Sequence, residues 1–246
     1  YTFCYIQFKN INNLKIIVMA ELKISGRMSV KKLKENFKNE FGGTLRIYDG
    51  REKKYLWLAS LPKEVAELVY GVCEELPGMG IQINTENQVY FLKDNPAMVH
   101  FRAVTGLPNI PCEYDEVKEP ILKIVFAHED EEEILKLAAF LGHHPGASKF
   151  DFIRSERRLY EILPKGVGKG NALLKMAELL GIDRNKTVAV GDYNNDVSMI
   201  RNAKVGFAVA NAVGEVKAVA DYITVSNNES AIARIIDQLA QGSITL

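Results

Sequence analysis

The stretch that most constrains this chain is Thr187-Val188-Ala189-Val190, followed directly by Gly191-Asp192-Tyr193-Asn194-Asn195-Asp196. A short apolar run bounded by turn residues reads as a buried strand. Two carboxylates and two amides then stand where that strand opens into a loop. Ligand sites in open α/β sheets lie just beyond the carboxyl ends of strands, and carboxylates placed there suit a hard divalent cation such as magnesium. Gly, Asp and Asn are also ordinary turn residues, so the run alone leaves both readings open.

The rest of the chain falls into three zones. From Lys165 to Leu246 the pattern reads helix, strand, loop, helix, strand, helix, strand, helix, which is half of a doubly wound, Rossmann-like core. From about residue 54 to 164, strands and helices alternate. Val65, Leu68, Val69 and Val72 follow helical spacing, and Pro77-Gly78 ends that helix. Ile121 to Phe126 and Arg158 to Leu163 read as strands, and Ile134, Leu137, Ala138 and Leu141 as a second amphipathic helix. Residues 1–53 read as a β-α-β segment. Leu14 to Ile24 reads as one or two strands and Thr44 to Tyr48 as another, and its helix carries Val30, Leu33, Phe37 and Phe41 behind an N-cap at Ser29.

Several motifs occur in one order. Gly166-Val167-Gly168-Lys169-Gly170-Asn171 opens a helix that closes at Gly181; the Gly191–Asp196 loop follows. Val205-Gly206-Phe207-Ala208-Val209-Ala210-Asn211 and Ala220-Asp221-Tyr222-Ile223 come after it. In that order and spacing they resemble the C-terminal half of a haloacid dehalogenase (HAD) superfamily phosphatase, nearest the Cof-type, class IIB branch. The resemblance implies an α/β fold: a partial Rossmann-like core of parallel sheet and flanking helices, with residues 54–164 as an α/β cap. It also implies phosphoryl transfer through an aspartyl-phosphate, with magnesium (Mg2+) as cofactor and a small phosphorylated metabolite, sugar phosphates among them, as substrate. By the same resemblance Asp192 is a metal ligand. Asp196 is the second acid of the loop, counted with Asp192 at the metal and also a catalytic residue that orients the lysine or the metal's water shell. Asn195 contacts the substrate phosphate, and Lys169 neutralises charge on it.

Other readings of these and nearby residues are bland. Lys169 as a solvated lysine, Asp196 as a helix cap and Asn211 as a turn residue are each open taken singly. His143-His144 precedes Pro145-Gly146 with no third ligand in the pattern, and reads as a loop. The acidic run Glu129 to Glu133 reads as a helix start facing the helix dipole. Arg154 and Arg158 read as solvent-exposed, with a bound anion as the alternative.

The departure from the family lies at the N-terminus. The nucleophile motif that the resemblance calls for, Asp-x-Asp-Gly-Thr after an early apolar strand, has no counterpart, since the chain contains no Asp-x-Asp. Tyr48-Asp49-Gly50 is the nearest imitation, but it puts Ile47 at the nucleophile position. Residues 1–53 therefore read as foreign to the family: a joined piece, or a replacement of the N-terminal core that pairs with the remaining sheet. Some partner is required, because without one an apolar sheet edge stays open. Two functional classes remain: a magnesium-dependent phosphatase, and a non-catalytic protein, either a phosphate- or magnesium-binding pseudoenzyme or a truncated or fused binding module.

Composition narrows the partners. Lys plus Arg and Asp plus Glu both number 31 among 246 residues, which argues against a nucleic-acid or polybasic membrane partner. Cys4, Cys73 and Cys112 are scattered, form no zinc pattern and suit a reducing cytoplasm. No run has the length of a membrane span, and Lys9 and Lys15 interrupt the first twenty residues where a signal peptide needs an apolar core. Oligomeric state is not encoded in any of these features.

Overall fold

The computed structural model describes residues 3–11, 14–21, 44–46, 59–105 and 109–244. The helix expected from Ser29 to Phe41, and Ile47 to Gly50, lie outside the described residues. Backbone contacts divide the chain into two compact units, one of residues 1–54 with 168–246 and the other of residues 55–167.

The first unit begins with β1 (Phe3–Ile11), β2 (Leu14–Glu21) and β3 (Thr44–Arg46). β1 pairs antiparallel with both β2 and β3. The strand Phe3–Ile11 was not among the sequence expectations. The described part of this segment is thus an antiparallel hairpin plus a third strand, with β2 and β3 where the two strands of the expected β-α-β segment fall and the helix between them outside the described residues.

The second unit is a six-stranded sheet with helices packed on it. In chain order it comprises α1 (Val65–Glu75), β4 (Gly80–Asn84), β5 (Val89–Lys93), α2 (Pro96–Thr105), β6 (Asn109–Pro111), β7 (Lys123–Ala127), α3 (Glu131–His143), β8 (Phe150–Glu156) and β9 (Leu159–Pro164). Its strand order is β6-β5-β4-β7-β9-β8. Alternation decides which residues face which layer. Ile81 and Ile83 of β4, Ile124 and Phe126 of β7 and Ile162 of β9 meet Leu68 and Val72 of α1 and Leu137 and Leu141 of α3 in one core. On the opposite face Val125, Ala127 and Leu159 pack under Ala97, Met98 and Phe101 of α2.

The acidic run does start a helix: the Asp130 carboxylate caps α3 by accepting from the Glu132 N–H at 2.9 Å. Glu131 is bonded to both Arg154 and Arg157, so Arg154 belongs to an ion-pair cluster instead of standing in solvent. His143 is the last residue of α3 and its Nδ1 lies 2.6 Å from the Ala139 carbonyl. His144 Nδ1 accepts from the Gly146 N–H.

The chain returns to the first unit with α4 (Lys169–Leu179), β10 (Thr187–Gly191), α5 (Val197–Asn202), β11 (Val205–Ala208), α6 (Gly214–Lys217), β12 (Tyr222–Ile223) and α7 (Ala231–Ala240). The sheet order is β12-β11-β10-β2-β1-β3, and β12, β11, β10 and β2 are mutually parallel. Every residue of β10 and β11 is buried, as the uninterrupted apolar runs dictate. Thr187 starts β10 with its hydroxyl donating to the Arg184 carbonyl at 2.6 Å and accepting from the Lys204 N–H at 3.1 Å, so this buried polar group is fully paired. The edge of β10 that would otherwise be open is covered by β2. No helix among the described residues is long and apolar enough to cross a membrane.

Candidate active site

β10 ends at Gly191, and the loop that follows runs Asp192-Tyr193 into a short 3-10 turn, Asn194–Asp196, which leads straight into α5. Asp196 organises this loop. Its Oδ2 accepts from the Asp192 N–H at 2.9 Å and from the Tyr193 N–H at 3.3 Å, closing the chain back on itself. Its Oδ1 accepts from Lys169 Nζ at 2.6 Å. The pair is nearly dry, with side-chain exposures of 12% for Lys169 and 4% for Asp196. Two charges leave water at a cost, which is offset only when partners are close and hydrogen bonding is complete.

Glycines make this approach possible. A Cβ on Gly191 would run into the Asp196 side chain, so the strand end must be bare for the carboxylate to fold over it. A Cβ on Gly170, the second residue of α4, would lie 2.6 Å from the Ser198 carbonyl oxygen. With only hydrogen there, the Gly170 N–H donates to Ser198 Oγ at 3.2 Å, and the first turn of α4 seats against α5. That contact carries Lys169 to Asp196, 27 residues further along the chain. The loop is pinned from the other side as well: the Val213 N–H donates to the Asp192 carbonyl at 3.0 Å, and the Val209 N–H to the Gly191 carbonyl at 3.3 Å.

The four residues singled out in the sequence thus share one edge of the sheet. Lys169 and Asp196 are in direct contact. Asp192 and Asn195 flank Asp196 in the same loop, both partly exposed. Of the two tasks open to Asp196, holding the lysine is the one visible here. Asn211 ties two turns together, its Oδ1 accepting from the Asn227 N–H at 3.1 Å. Sequence reasoning missed Ser198, whose hydroxyl receives the first turn of α4; nothing in its local pattern marks it.

No group of three or more His, Cys, Asp or Glu gathers into a metal cage among the described residues. Mg2+ does not require one: it keeps several waters and is held by one or two carboxylates together with substrate phosphate oxygens. The Asp192 carboxylate, half-buried in this loop, is an oxygen donor of the type that cation takes.

Comparison with known proteins agrees with the geometry. The model of the haloacid dehalogenase-like hydrolases matches residues 12–236, so the chain belongs to that family. The match takes in β2 and so most of the segment that reads as foreign by its motifs. A 5-amino-6-(5-phospho-D-ribitylamino)uracil phosphatase of Bacillus subtilis is 34% identical over 148 residues, 59% of this chain and 50% of that protein. A phosphoglycolate phosphatase of Saccharolobus solfataricus is 39% identical over 95 residues, 39% of this chain and 40% of that one. The chain is thus matched over half or less of these relatives' length. In fold it resembles a sugar phosphatase of HAD subclass IIB, with a TM-score of 0.66 at 21% identity over 79% of this chain and 72% of the other.

Proposed function

We propose that this chain hydrolyses phosphate monoesters of small metabolites, sugar phosphates among them, with Mg2+ held by Asp192. The observation that carries the reading is the buried Lys169–Asp196 pair at the carboxyl end of β10. A fixed cation in a water-poor site stabilises charge that develops on a transferring phosphoryl group, at no reorganisation cost when the reaction occurs. Asp196 keeps Lys169 in place and keeps the 192–193 backbone turned, so that Asp192 and Asn195 present their side chains from a rigid loop. Asn195 would donate from its amide to a phosphate oxygen. Mg2+, when bound, supplies Lewis-acid polarisation of the phosphoryl oxygens. Family membership, and relatives whose names are those of phosphatases, support the reading.

The test is hydrolysis of an aryl phosphate by the purified chain, with and without Mg2+. Magnesium-dependent turnover is expected, with Lys169→Met and Asp192→Asn each reducing it by roughly a hundredfold or more. A second reading is favoured by one fact, the lack of any Asp-x-Asp in the chain: a protein that binds phosphate or Mg2+ without turning substrate over. Protection of the folded chain from thermal unfolding by these ions, with no hydrolysis, would select it.

A further inference from the structure

α4 begins without a cap of its own. The first N–H groups of a helix have no partner within it, and a side chain just before the helix ordinarily accepts from one of them. Here the residue before α4 is Gly168, extended and with no side chain to offer. The first bond within the helix runs from the Ala172 N–H to the Gly168 carbonyl at 2.9 Å. The Gly170 N–H, which precedes that bond, finds its acceptor on another helix: Ser198 Oγ, at 3.2 Å. Ser198, the second residue of α5, thus caps α4 from across the seam between the two helices. The capped N–H belongs to the peptide unit that joins Lys169 to Gly170. Two residues before Ser198 stands Asp196, whose carboxylate accepts from Lys169 Nζ at 2.6 Å. One short stretch, 196–198, therefore grips Lys169 at both ends, its backbone at Ser198 and its ammonium at Asp196.

We propose, on the phosphatase reading above, that Ser198 is a positioning residue for the reaction, acting through Lys169. A lysine ammonium is a compact charge on a flexible four-carbon stem. It stabilises charge that develops on a phosphoryl group only as far as its place is fixed beforehand. Asp196 fixes one end of that stem. Helix ends fray, and if the first turn of α4 does so, the ammonium either lets go of Asp196 or is held on a stem whose root has moved. The Ser198 hydroxyl stops the fraying at the residue next to the lysine. Ser198 itself is exposed, so replacing it opens no cavity in the core, and its variants are expected to fold.

The experiment measures kcat and KM of the full chain on an aryl phosphate with Mg2+, with thermal unfolding as the check that each protein is folded. The parent is compared with Ser198→Ala, Ser198→Thr, Lys169→Met and the double variant of Lys169→Met with Ser198→Ala. Ser198→Ala should lower kcat about tenfold while KM stays within about twofold. Ser198→Thr keeps the hydroxyl and should hold kcat within about twofold of the parent. In the Lys169→Met background Ser198→Ala should cost nothing further, because the group it aims is gone. A loss in that background as large as in the parent, or a Ser198→Ala chain that does not fold, would assign Ser198 to the fold and overturn the proposal. A kcat for Ser198→Ala within about twofold of the parent overturns it as well. Each of these outcomes leaves the phosphatase reading standing. A folded parent chain without turnover overturns that reading, and this assignment falls with it.

Discussion

The two sheets of this protein handle polar residues in opposite ways. In the parallel part of the first, β10 and β11 are buried from end to end and apolar apart from Thr187 at the start of β10, and the polar groups of the site begin where a strand stops. In the mostly antiparallel sheet of the second unit, polar groups sit inside the strands: Gln82 in β4, Lys123 in β7 and Glu161 in β9 share the face opposite the main core. Each sheet carries a poorly solvated lysine–carboxylate pair. Lys169–Asp196 closes at 2.6 Å and Lys123–Glu161 at 3.1 Å, with Lys123 22% exposed. The first pair also holds two backbone N–H groups and fixes a loop; the second bridges two adjacent strands that the ladder already joins. One is an organiser of local structure, the other an addition to it.

Removing the carboxylates one at a time puts that distinction to its hardest test. Asp196→Ala takes away the partner of a buried lysine and of two backbone donors, and is expected to cost ~3–5 kcal/mol in urea unfolding. Glu161→Ala removes one partner of a lysine that is 22% exposed and can still reach water, and is expected to cost less, about 1 kcal/mol. Equal losses would mean that the loop bonds of Asp196 add nothing, and the contrast between the two pairs would be void.

The same contrast explains what could be read in the sequence. The alternation of helix and strand from α4 to α7 was legible because each buried strand of a parallel sheet is an uninterrupted apolar run. In the second unit α1, β7, α3 and β9 were legible from their apolar spacing, while β4, β5 and β8 were not. Gly80-Ile81-Gln82-Ile83-Asn84 and Phe150-Asp151-Phe152-Ile153-Arg154-Ser155-Glu156 carry polar residues toward a second face that only the folded sheet defines. At the site, the types and order of Lys169, Asp192, Asn195 and Asp196 were visible. That Asp196 meets Lys169 was one of the two tasks the resemblance left open; which of them the fold realises was not legible, because it depends on how closely α4 and α5 approach, which Gly170 sets. The place of β2 was hidden for another reason: strand pairing between residues 17 and 187 is a long-range choice that no local pattern records.

A smaller effect separates glycines that are required from those that are merely present. Gly191→Ala forces a methyl group against the buried Asp196 side chain and is expected to destabilise by ~1–3 kcal/mol. Gly142, inside α3, has open space where its Cβ would stand. Gly142→Ala should therefore stabilise by about 0.5–1 kcal/mol through helix propensity alone. Thermal unfolding of the two variants beside the parent decides the matter. A neutral Gly191→Ala would show that the strand end can yield, and that the tight closure of the loop is not what positions Asp196.

The smallest effect expected concerns the exposed ion pairs of the second unit, where solvent screens what burial enforces at the site. Hydrogen bonds from Arg154 and then Arg157 hold the Glu131 carboxyl below its ordinary value of 4.5. A carboxyl depressed in the folded state stabilises the fold only while it is ionised. Its contribution is complete above the unfolded value and fades as the pH falls through the lower, folded one. Glu131 is well solvated, so the contribution is that of a surface pair, small and sensitive to salt. The unfolding free energies of the parent and Glu131→Gln should differ slightly at pH 6 and converge as the pH is lowered below about 4.5. The gap should also shrink on adding salt at pH 6. A gap that persists at low pH would assign the role of Glu131 to packing at the start of α3, and the two arginines would then be neighbours of the helix without being partners to its charge.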